Sequence, residues 1–144
     1  MENIHSGLVA ETSEIVTHAL TAASHDSGLV AAYSTPAMVG LMETAAYQAT
    51  QPHLPAGQTT VGVEIHIKHL AATPVGARVR ARAEVTQVEG AMIHYKVEAW
   101  DAVDKIGEGT HVRFVVDAER FYKRFETKRA KMTLENQDND HASG

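Results

Sequence analysis

The stretch Pro36–Gln51, PAMVGLMETAAYQATQ, decides the fold of this chain. Apolar residues recur in it at intervals of three and four positions, which predicts a helix. The residues on that face are Met38, Leu41, Met42, Ala45, Ala46 and Ala49. The opposite side is also mostly apolar, so the helix is expected to be buried on most of its surface. Thr35 is predicted as its N-cap, and Pro36 suits the first turn.

Strands are predicted on both sides of this helix. Along the stretch that starts at Thr60, alternate residues are apolar, as in a strand with one buried face. The alternation predicts an inner face of Val61, Val63, Ile65, Ile67 and His69, and an outer face of Gly62, Glu64, His66 and Lys68. The other predicted strands are Gly7–Thr17, Ala77–Val88, Ala91–Trp100 and Ile106–Val116.

One long apolar helix followed by antiparallel strands predicts an α+β fold in which a sheet curls around the helix. This arrangement is the hotdog fold, a long central helix wrapped by a curved antiparallel β-sheet. Such a sheet leaves an exposed edge, so we expect the domain to form a homodimer. The length of 144 residues fits a single domain. We expect that domain at residues 1–121 and a helical or disordered tail at residues 122–144.

The composition argues against several classes of protein. The sequence has no cysteine, which excludes disulfides, zinc–thiolate sites, iron–sulfur clusters and a cysteine nucleophile. A net charge of -5 argues against general nucleic-acid binding. There is no apolar run of about 18 residues and no evident secretory signal, so we expect a cytoplasmic protein without membrane association.

Three polar residues are candidates for chemistry. Glu43 is the only charged residue between Asp26 and Glu64. A carboxylate in an apolar helix loses hydration, so Glu43 is a candidate to act as a base or to orient one, or else pairs with a strand cation. His69 ends the predicted inner strand face, where it is either a base or a hydrogen-bonded core residue. Thr35 caps the helix, and its hydroxyl could also position a water or attack a carbonyl.

A stripe of cations is predicted on the outer face of one strand, formed by Arg78, Arg80 and Arg82. Such a stripe is usually a solvated face, and the alternative is a site for the phosphates of a ligand such as coenzyme A. The sequence contains neither a Gly-rich phosphate loop nor an HExxH metal motif.

Three blocks of sequence resemble one known family. They are Ser34–Glu43 (STPAMVGLME), His69–Gly76 (HLAATPVG) and Ile106–Arg113 (IGEGTHVR). In this order and spacing they are similar to the hotdog thioesterases related to fluoroacetyl-CoA thioesterase. The resemblance implies a homodimeric acyl-CoA thioesterase, with a tetramer as the larger alternative.

The resemblance also implies the site. By position, the threonine, glutamate and histidine of the family are Thr35, Glu43 and His69, and Gly62 and Arg113 fall at positions associated with the site. The expected reaction is hydrolysis of a small or medium acyl-CoA thioester to the acid and CoA. Coenzyme A is then part of the substrate, and neither another cofactor nor a metal is expected.

In the expected mechanism His69 is the general base, held or charged by Glu43, and the attacking group is Thr35, water or Glu43. The backbone N–H of Ala37 or of Met38 is expected to polarise the thioester carbonyl.

Tyr33 is expected to help line the acyl pocket. The segment 26–34 contains no phenylalanine, whereas an aromatic lid is expected there in the fluoroacetyl-specific enzyme. The resemblance therefore implies the reaction class, thioester hydrolysis, but does not imply fluoroacetyl as the acyl group. Two other functions are possible on this fold: a non-catalytic protein that binds acyl-CoA or a related apolar ligand, and a hotdog dehydratase.

Overall fold

The computed structural model describes residues 2–25 and 28–142. Within these residues there are two helices and five strands, with short 3-10 turns at His18–Leu20 and Gln51–His53. The helices are α1 (Thr35–Thr50) and α2 (Ala118–Ala142). The strands are β1 (Val9–Ile15), β2 (Gln58–His69), β3 (Arg78–Glu89), β4 (Met92–Trp100) and β5 (Lys105–Asp117).

The five strands form one antiparallel sheet in the order β1-β3-β4-β5-β2. The buried face of α1 packs on its inner side, mainly against β1 and β3. At Gly107 of β5 an added Cβ would lie 2.5 Å from the Met38 sulfur, so glycine lets α1 approach the sheet closely. The predicted hotdog fold is confirmed, and β2 lies at one edge of the sheet.

A bulge in β2 corrects the predicted face of Gly62. Gly62 pairs with Arg113 and Glu64 pairs with Val112, so Val63 is the extra residue. The bulge reverses the alternation, so Gly62 lies on the inner side of the sheet with His69. Val61, expected inside, instead lines an outer groove with Phe114, and Val63 is largely exposed.

The start of α1 also differs from the prediction. Ser34, not Thr35, is the N-cap, because its hydroxyl accepts a hydrogen bond from the Ala37 N–H at 3.1 Å. Thr35 is the first helical residue and is exposed. The Thr35 hydroxyl is therefore free of the capping role that the sequence assigned to it.

The C-terminal helix α2 begins directly after β5 and lies beside the outer side of the sheet, with residues 122–137 exposed. Its Phe121 and Phe125 border a groove with Val61 and Val63. The helix continues to Ala142, beyond residue 121 at which the sequence places the end of the domain. Residues 143 and 144 of the expected tail lie outside the described residues.

Candidate active site

Thr35 and His69 meet at the N-terminus of α1. A hydrogen bond of 2.8 Å joins Thr35 Oγ1 and His69 Nδ1. Thr35 is placed there by the first turn of α1, and His69 by the last residue of β2. The pair consists of a hydroxyl and a neighbouring base. Such a base can activate either the hydroxyl or a bound water to attack a carbonyl.

Burial keeps the His69 imidazole in its neutral form. Partial burial lowers the pKa of His69 from its ordinary value, and the Ala71 carbonyl acts in the opposite direction. The imidazole is therefore neutral at pH 7 and can act as a base. Its Nε2 is buried and makes no hydrogen bond to any residue that the structure describes. A buried ring nitrogen without a hydrogen-bond partner is unfavourable.

A cavity of about 420 Å³ opens beside this pair, lined by residues that include Val30, Tyr33, Thr35 and His69. Tyr33 is buried, and its hydroxyl donates to the Glu14 carboxylate at 2.5 Å. Desolvation and that carboxylate raise the pKa of Tyr33. The Tyr33 hydroxyl thus belongs to the scaffold, although the residue does line the predicted pocket. Of the segment expected to form the lid, Asp26 and Ser27 lie outside the described residues.

A second cluster lies near the middle of α1. Glu43 is half-buried and shares a cavity of about 230 Å³ with Arg113 and Gly40. A Cβ built on Gly62 would lie 3.5 Å from Arg113 Nη1 and 3.9 Å from Glu43 Oε1. Gly62, Glu43 and Arg113 therefore lie close together around this cavity.

Arg113 is buried and held mainly by neutral groups. Its Nε donates to Thr60 Oγ1 at 2.8 Å, and its Nη2 donates to the Thr60 carbonyl at 3.0 Å. Its Nη1 contacts His111 Nε2 at 3.3 Å. Burial lowers the pKa of Arg113, and Tyr95 and Glu43 act in the opposite direction. The guanidinium stays charged, because even a lowered arginine pKa lies well above neutral pH.

The structure does not join the two clusters within one protomer. Eight residues of helix separate Thr35 from Glu43, which corresponds to a rise of about 12 Å. His69 and Gly62 lie toward opposite ends of β2, about 20 Å apart along the strand. The two clusters line separate cavities. Glu43 is thus not the group that holds His69 of the same chain.

Two further expectations are corrected. The N–H groups of Ala37 and Met38 both donate to Ser34, one to its hydroxyl and one to its carbonyl. They belong to the helix cap, so neither is a free donor for the thioester carbonyl.

The cationic stripe on β3 makes local contacts. Arg78 donates to Ser13, Arg80 lies over the Trp100 ring, and Arg82 pairs with Glu84. Strand β3 is separated from β2 by β4 and β5. The stripe is therefore remote from the strand that carries His69, and its contacts fit a solvated face.

Sequence reasoning missed two residues that build the site. Ser34 replaces Thr35 as the cap, and a serine directly before Thr-Pro was an available signal. His111 lies within the block Ile106–Arg113 but is not singled out by the sequence, and its side chain holds the guanidinium of Arg113. The spacing of two residues puts both side chains on one face of a strand, but their contact depends on the tertiary structure.

Among residues 2–25 and 28–142, no group of three or more His, Asp or Glu side chains is arranged to hold a metal ion. In the same part of the chain, no helix has the length and apolar character needed to cross a bilayer.

A curled sheet around a central helix, with a hydroxyl–imidazole pair at the helix N-terminus, defines a hotdog hydrolase of thioesters. The chain matches the family described as fluoroacetyl-CoA-specific thioesterase, FlK, over residues 16–119. It is 43% identical over 96 residues to fluoroacetyl-CoA thioesterase from Streptantibioticus cattleyicolor, covering 67% of this chain and 69% of that protein. The chain therefore belongs to the fluoroacetyl-CoA-specific thioesterase family of hydrolases.

Solved structures agree with this assignment. A phenylalanine-to-alanine mutant of the fluoroacetyl-CoA-specific thioesterase FlK superposes with a TM-score of 0.80 at 34% identity, covering 87% of this chain and 97% of that one. A Thermus thermophilus thioesterase superfamily member superposes with a TM-score of 0.87 at 27% identity, covering 93% and 99%. The α2 helix lies almost entirely beyond the residues that match the family.

Proposed function

We propose that this protein hydrolyses small or medium acyl-CoA thioesters, and that the Thr35–His69 pair activates the attacking oxygen. The 2.8 Å hydrogen bond between these side chains carries the proposal. His69 Nδ1 takes the proton of the attacking Thr35 hydroxyl, or of a water held beside it. The oxygen adds to the thioester carbonyl, the C–S bond breaks, and the CoA thiolate takes up the proton. Attack by Thr35 requires a second step in which water hydrolyses the acyl-threonine.

The active site is completed by a second copy of the chain. When the Thr35 hydroxyl donates to Nδ1, the proton of neutral His69 lies on Nε2 and needs an acceptor. Nε2 is buried without one among the described residues of the protomer. A carboxylate is the strongest acceptor for an imidazole that becomes charged. Glu43 of the partner subunit is our candidate, because Glu43 of the same chain belongs to the other cluster.

The geometry of β2 supports this dimer. Strand β2 is an edge strand of 12 residues, long enough to pair with its own copy. In an antiparallel pairing centred on His66, with Val63 as the extra residue, His69 lies opposite Gly62 of the partner subunit. Both residues face the inner side of the sheet, as residues directly opposite each other must. Such pairing brings the Thr35–His69 pair of one chain (the first cluster) to the cluster around Glu43 of the partner subunit (the second cluster).

The first experiment measures free-thiol release from acyl-CoAs that run from acetyl to long-chain and include halogenated and aryl groups. We expect turnover of one narrow class. In Thr35→Val, which keeps the shape but lacks the hydroxyl, turnover falls by about 100-fold or more, and Thr35→Ser keeps most of it. No release from any member, with the protein folded and dimeric, would assign the protein to the binding of acyl-CoA instead.

Mixed dimers test whether the active site is shared. His69→Ala and Glu43→Gln are each expected to be inactive as homodimers. After co-refolding, a mixed dimer holds one site that has both His69 and Glu43 intact, so activity returns toward one quarter of the wild-type value for a statistical mixture. No recovery on mixing, with heterodimers present by mass, would place both residues in one protomer's site.

The same proposal covers location and assembly. We retain the cytoplasmic location expected from the sequence, and a dimer as the smallest active unit. Sedimentation at micromolar concentration distinguishes the dimer from the tetramer.

A further inference from the structure

Arg113 is a buried cation without an acidic partner at contact distance. The side chain has five N–H donors in a fixed plane, and the residue is 8% exposed. Three of the five donors are used, two on Thr60 and one on His111. None of the ion pairs formed among the described residues includes Arg113. One N–H on each terminal nitrogen is therefore left for the cavity that Arg113 shares with Glu43.

The protonation state of His111 is determined by its neighbours. Its Nδ1 lies 2.8 Å from the Glu64 carbonyl, which can only accept, so Nδ1 carries the hydrogen. Its Nε2 lies 3.3 Å from a guanidinium nitrogen, which can only donate, so Nε2 presents its lone pair. His111 is accordingly a neutral imidazole in a single tautomer.

Packing fixes this imidazole in place. His111 is 1% exposed, and its ring stacks on Tyr95 with centroids 5.8 Å apart. The Tyr95 hydroxyl is in turn hydrogen bonded to Thr50 Oγ1 at 2.8 Å. The Glu64 carbonyl that anchors Nδ1 belongs to the bulge of β2. His111 therefore ties the guanidinium of Arg113 to the same irregularity that turns Gly62 inward.

We propose that His111 is a positioning residue for thioester hydrolysis, and that its Nε2 lone pair orients Arg113 so that the two remaining donors face the Glu43 cavity. Because a guanidinium is planar, an acceptor on Nη1 together with the two bonds to Thr60 fixes the directions of the other N–H bonds. Without the His111 acceptor only the two bonds to Thr60 hold the guanidinium, and its Nη1 donors can turn away from the Glu43 cavity. This inference rests on the proposed function, since the oriented donors act on a substrate group or on Glu43.

Two amide variants separate the roles of the two ring nitrogens. In His111→Gln the amide oxygen can occupy the place of Nε2 and accept from Arg113. In His111→Asn the shorter amide reaches the Glu64 carbonyl and leaves Arg113 without an acceptor. We expect kcat/KM to fall by about 10- to 100-fold in the asparagine variant, as for loss of a hydrogen bond to a charged group, and by much less in the glutamine variant.

The neighbouring strand offers matched controls. His94 lies on the outer side of β4, is hydrogen bonded to the exposed Glu89, and makes no contact with the site. His94→Asn and His94→Gln should both keep wild-type kcat/KM. Thermal unfolding of all four variants shows whether activity follows stability or the identity of the nitrogen that is replaced.

NMR of the Arg113 side chain tests the proposal without using activity. A fixed guanidinium gives a protected Nε–H resonance, which we expect in the wild type and in His111→Gln but exchange-broadened in His111→Asn. If the Arg113 resonances behave as expected but the protein releases no thiol from any acyl-CoA, the positioning of Arg113 by His111 stands and only the proposed hydrolysis is contradicted. Equal kcat/KM and equal Arg113 resonances in the two amide variants would overturn the role of His111.

Discussion

The two ends of the site differ in how fully their polar groups are partnered. At the start of α1, Thr35 is exposed. One ring nitrogen of His69 is hydrogen bonded to Thr35, and the other is buried with no hydrogen bond to the part of the chain that the structure describes. At the middle of α1, Arg113 is anchored by three hydrogen bonds, and His111 is bonded through both nitrogens. The first cluster can move a proton, and the second holds a charge in place.

This difference indicates a division of labour. A base must change its protonation state during turnover, so a fully saturated imidazole would serve poorly. A group that stabilises charge works best when it is preorganised and does not move. His69 and His111 are two histidines on the inner side of one sheet, yet we propose opposite tasks for them, because their hydrogen bonds differ.

The largest expected effect comes from removing the base. His69→Ala should lower kcat by about 1,000-fold or more, because proton transfer from the attacking oxygen then has no acceptor. His94→Ala is the matched control, since His94 lies on the outer side of β4 and its imidazole is hydrogen bonded to the exposed Glu89. Thiol release measured under saturating substrate reports kcat. Equal losses in the two variants would mean that the sheet, rather than the base, had been damaged.

Removal of the charge on Glu43 should have the next largest effect. Glu43→Gln keeps the shape of the side chain, and we expect kcat/KM to fall by about 100-fold while the unfolding temperature stays within a few degrees. Glu89→Gln, which removes an exposed carboxylate on the outer side, should leave both unchanged. A Glu43→Gln variant with normal turnover would remove Glu43 from the site and leave the first cluster to act alone.

The pH dependence follows from the burial of both histidines. Burial lowers the pKa of His69 and of His111, so each is neutral in the native protein down to a pH below 6.5. For His111 the nearby Arg113 lowers the pKa further, while the Glu64 carbonyl and Glu43 raise it. Activity should therefore be lost as the pH falls through the pKa of His69, which burial lowers and which the carboxylate of Glu43 of the partner subunit would raise in the proposed dimer.

The same shifts have a consequence for stability. Below about pH 6.5 the unfolded chain binds protons at these two histidines while the native protein does not, so the free energy of unfolding falls with pH. The urea midpoint should decrease between pH 7 and pH 5.5, and His111→Gln should decrease less over that interval. A midpoint in His111→Gln that falls as steeply as in the wild type would show that His111 does not contribute.

The sequence predicted the helix and the order of the strands along the chain, because apolar periodicity is a local property. The site residues Thr35, Glu43, His69, Gly62 and Arg113 stay predictions, which the family resemblance implies by position. The sequence predicted the wrong face for Gly62, since a bulge depends on the partner strand and one extra residue reverses the alternation. It also placed Thr35 at the cap, where Ser34 competes for the same N–H groups. That Glu43 and His69 lie in separate clusters could not be read from spacing, because it depends on how α1 crosses β2.

The smallest expected effect tests whether the second cluster needs an open space beside it. In Gly62→Ala the new Cβ would lie 3.3 Å from the His111 ring and 3.5 Å from Arg113 Nη1. These contacts are tight but not colliding, so the free energy of unfolding should change by less than about 1 kcal/mol. We expect KM to rise several-fold, because the methyl group occupies space between the clusters. Gly40→Ala is the control, because an added Cβ there meets nothing within 4 Å and a helical alanine should stabilise by up to about 1 kcal/mol. A raised KM in Gly62→Ala alone would place the substrate against β2, whereas a raised KM in both variants would extend the substrate site along the Glu43 cavity, which Gly40 also lines.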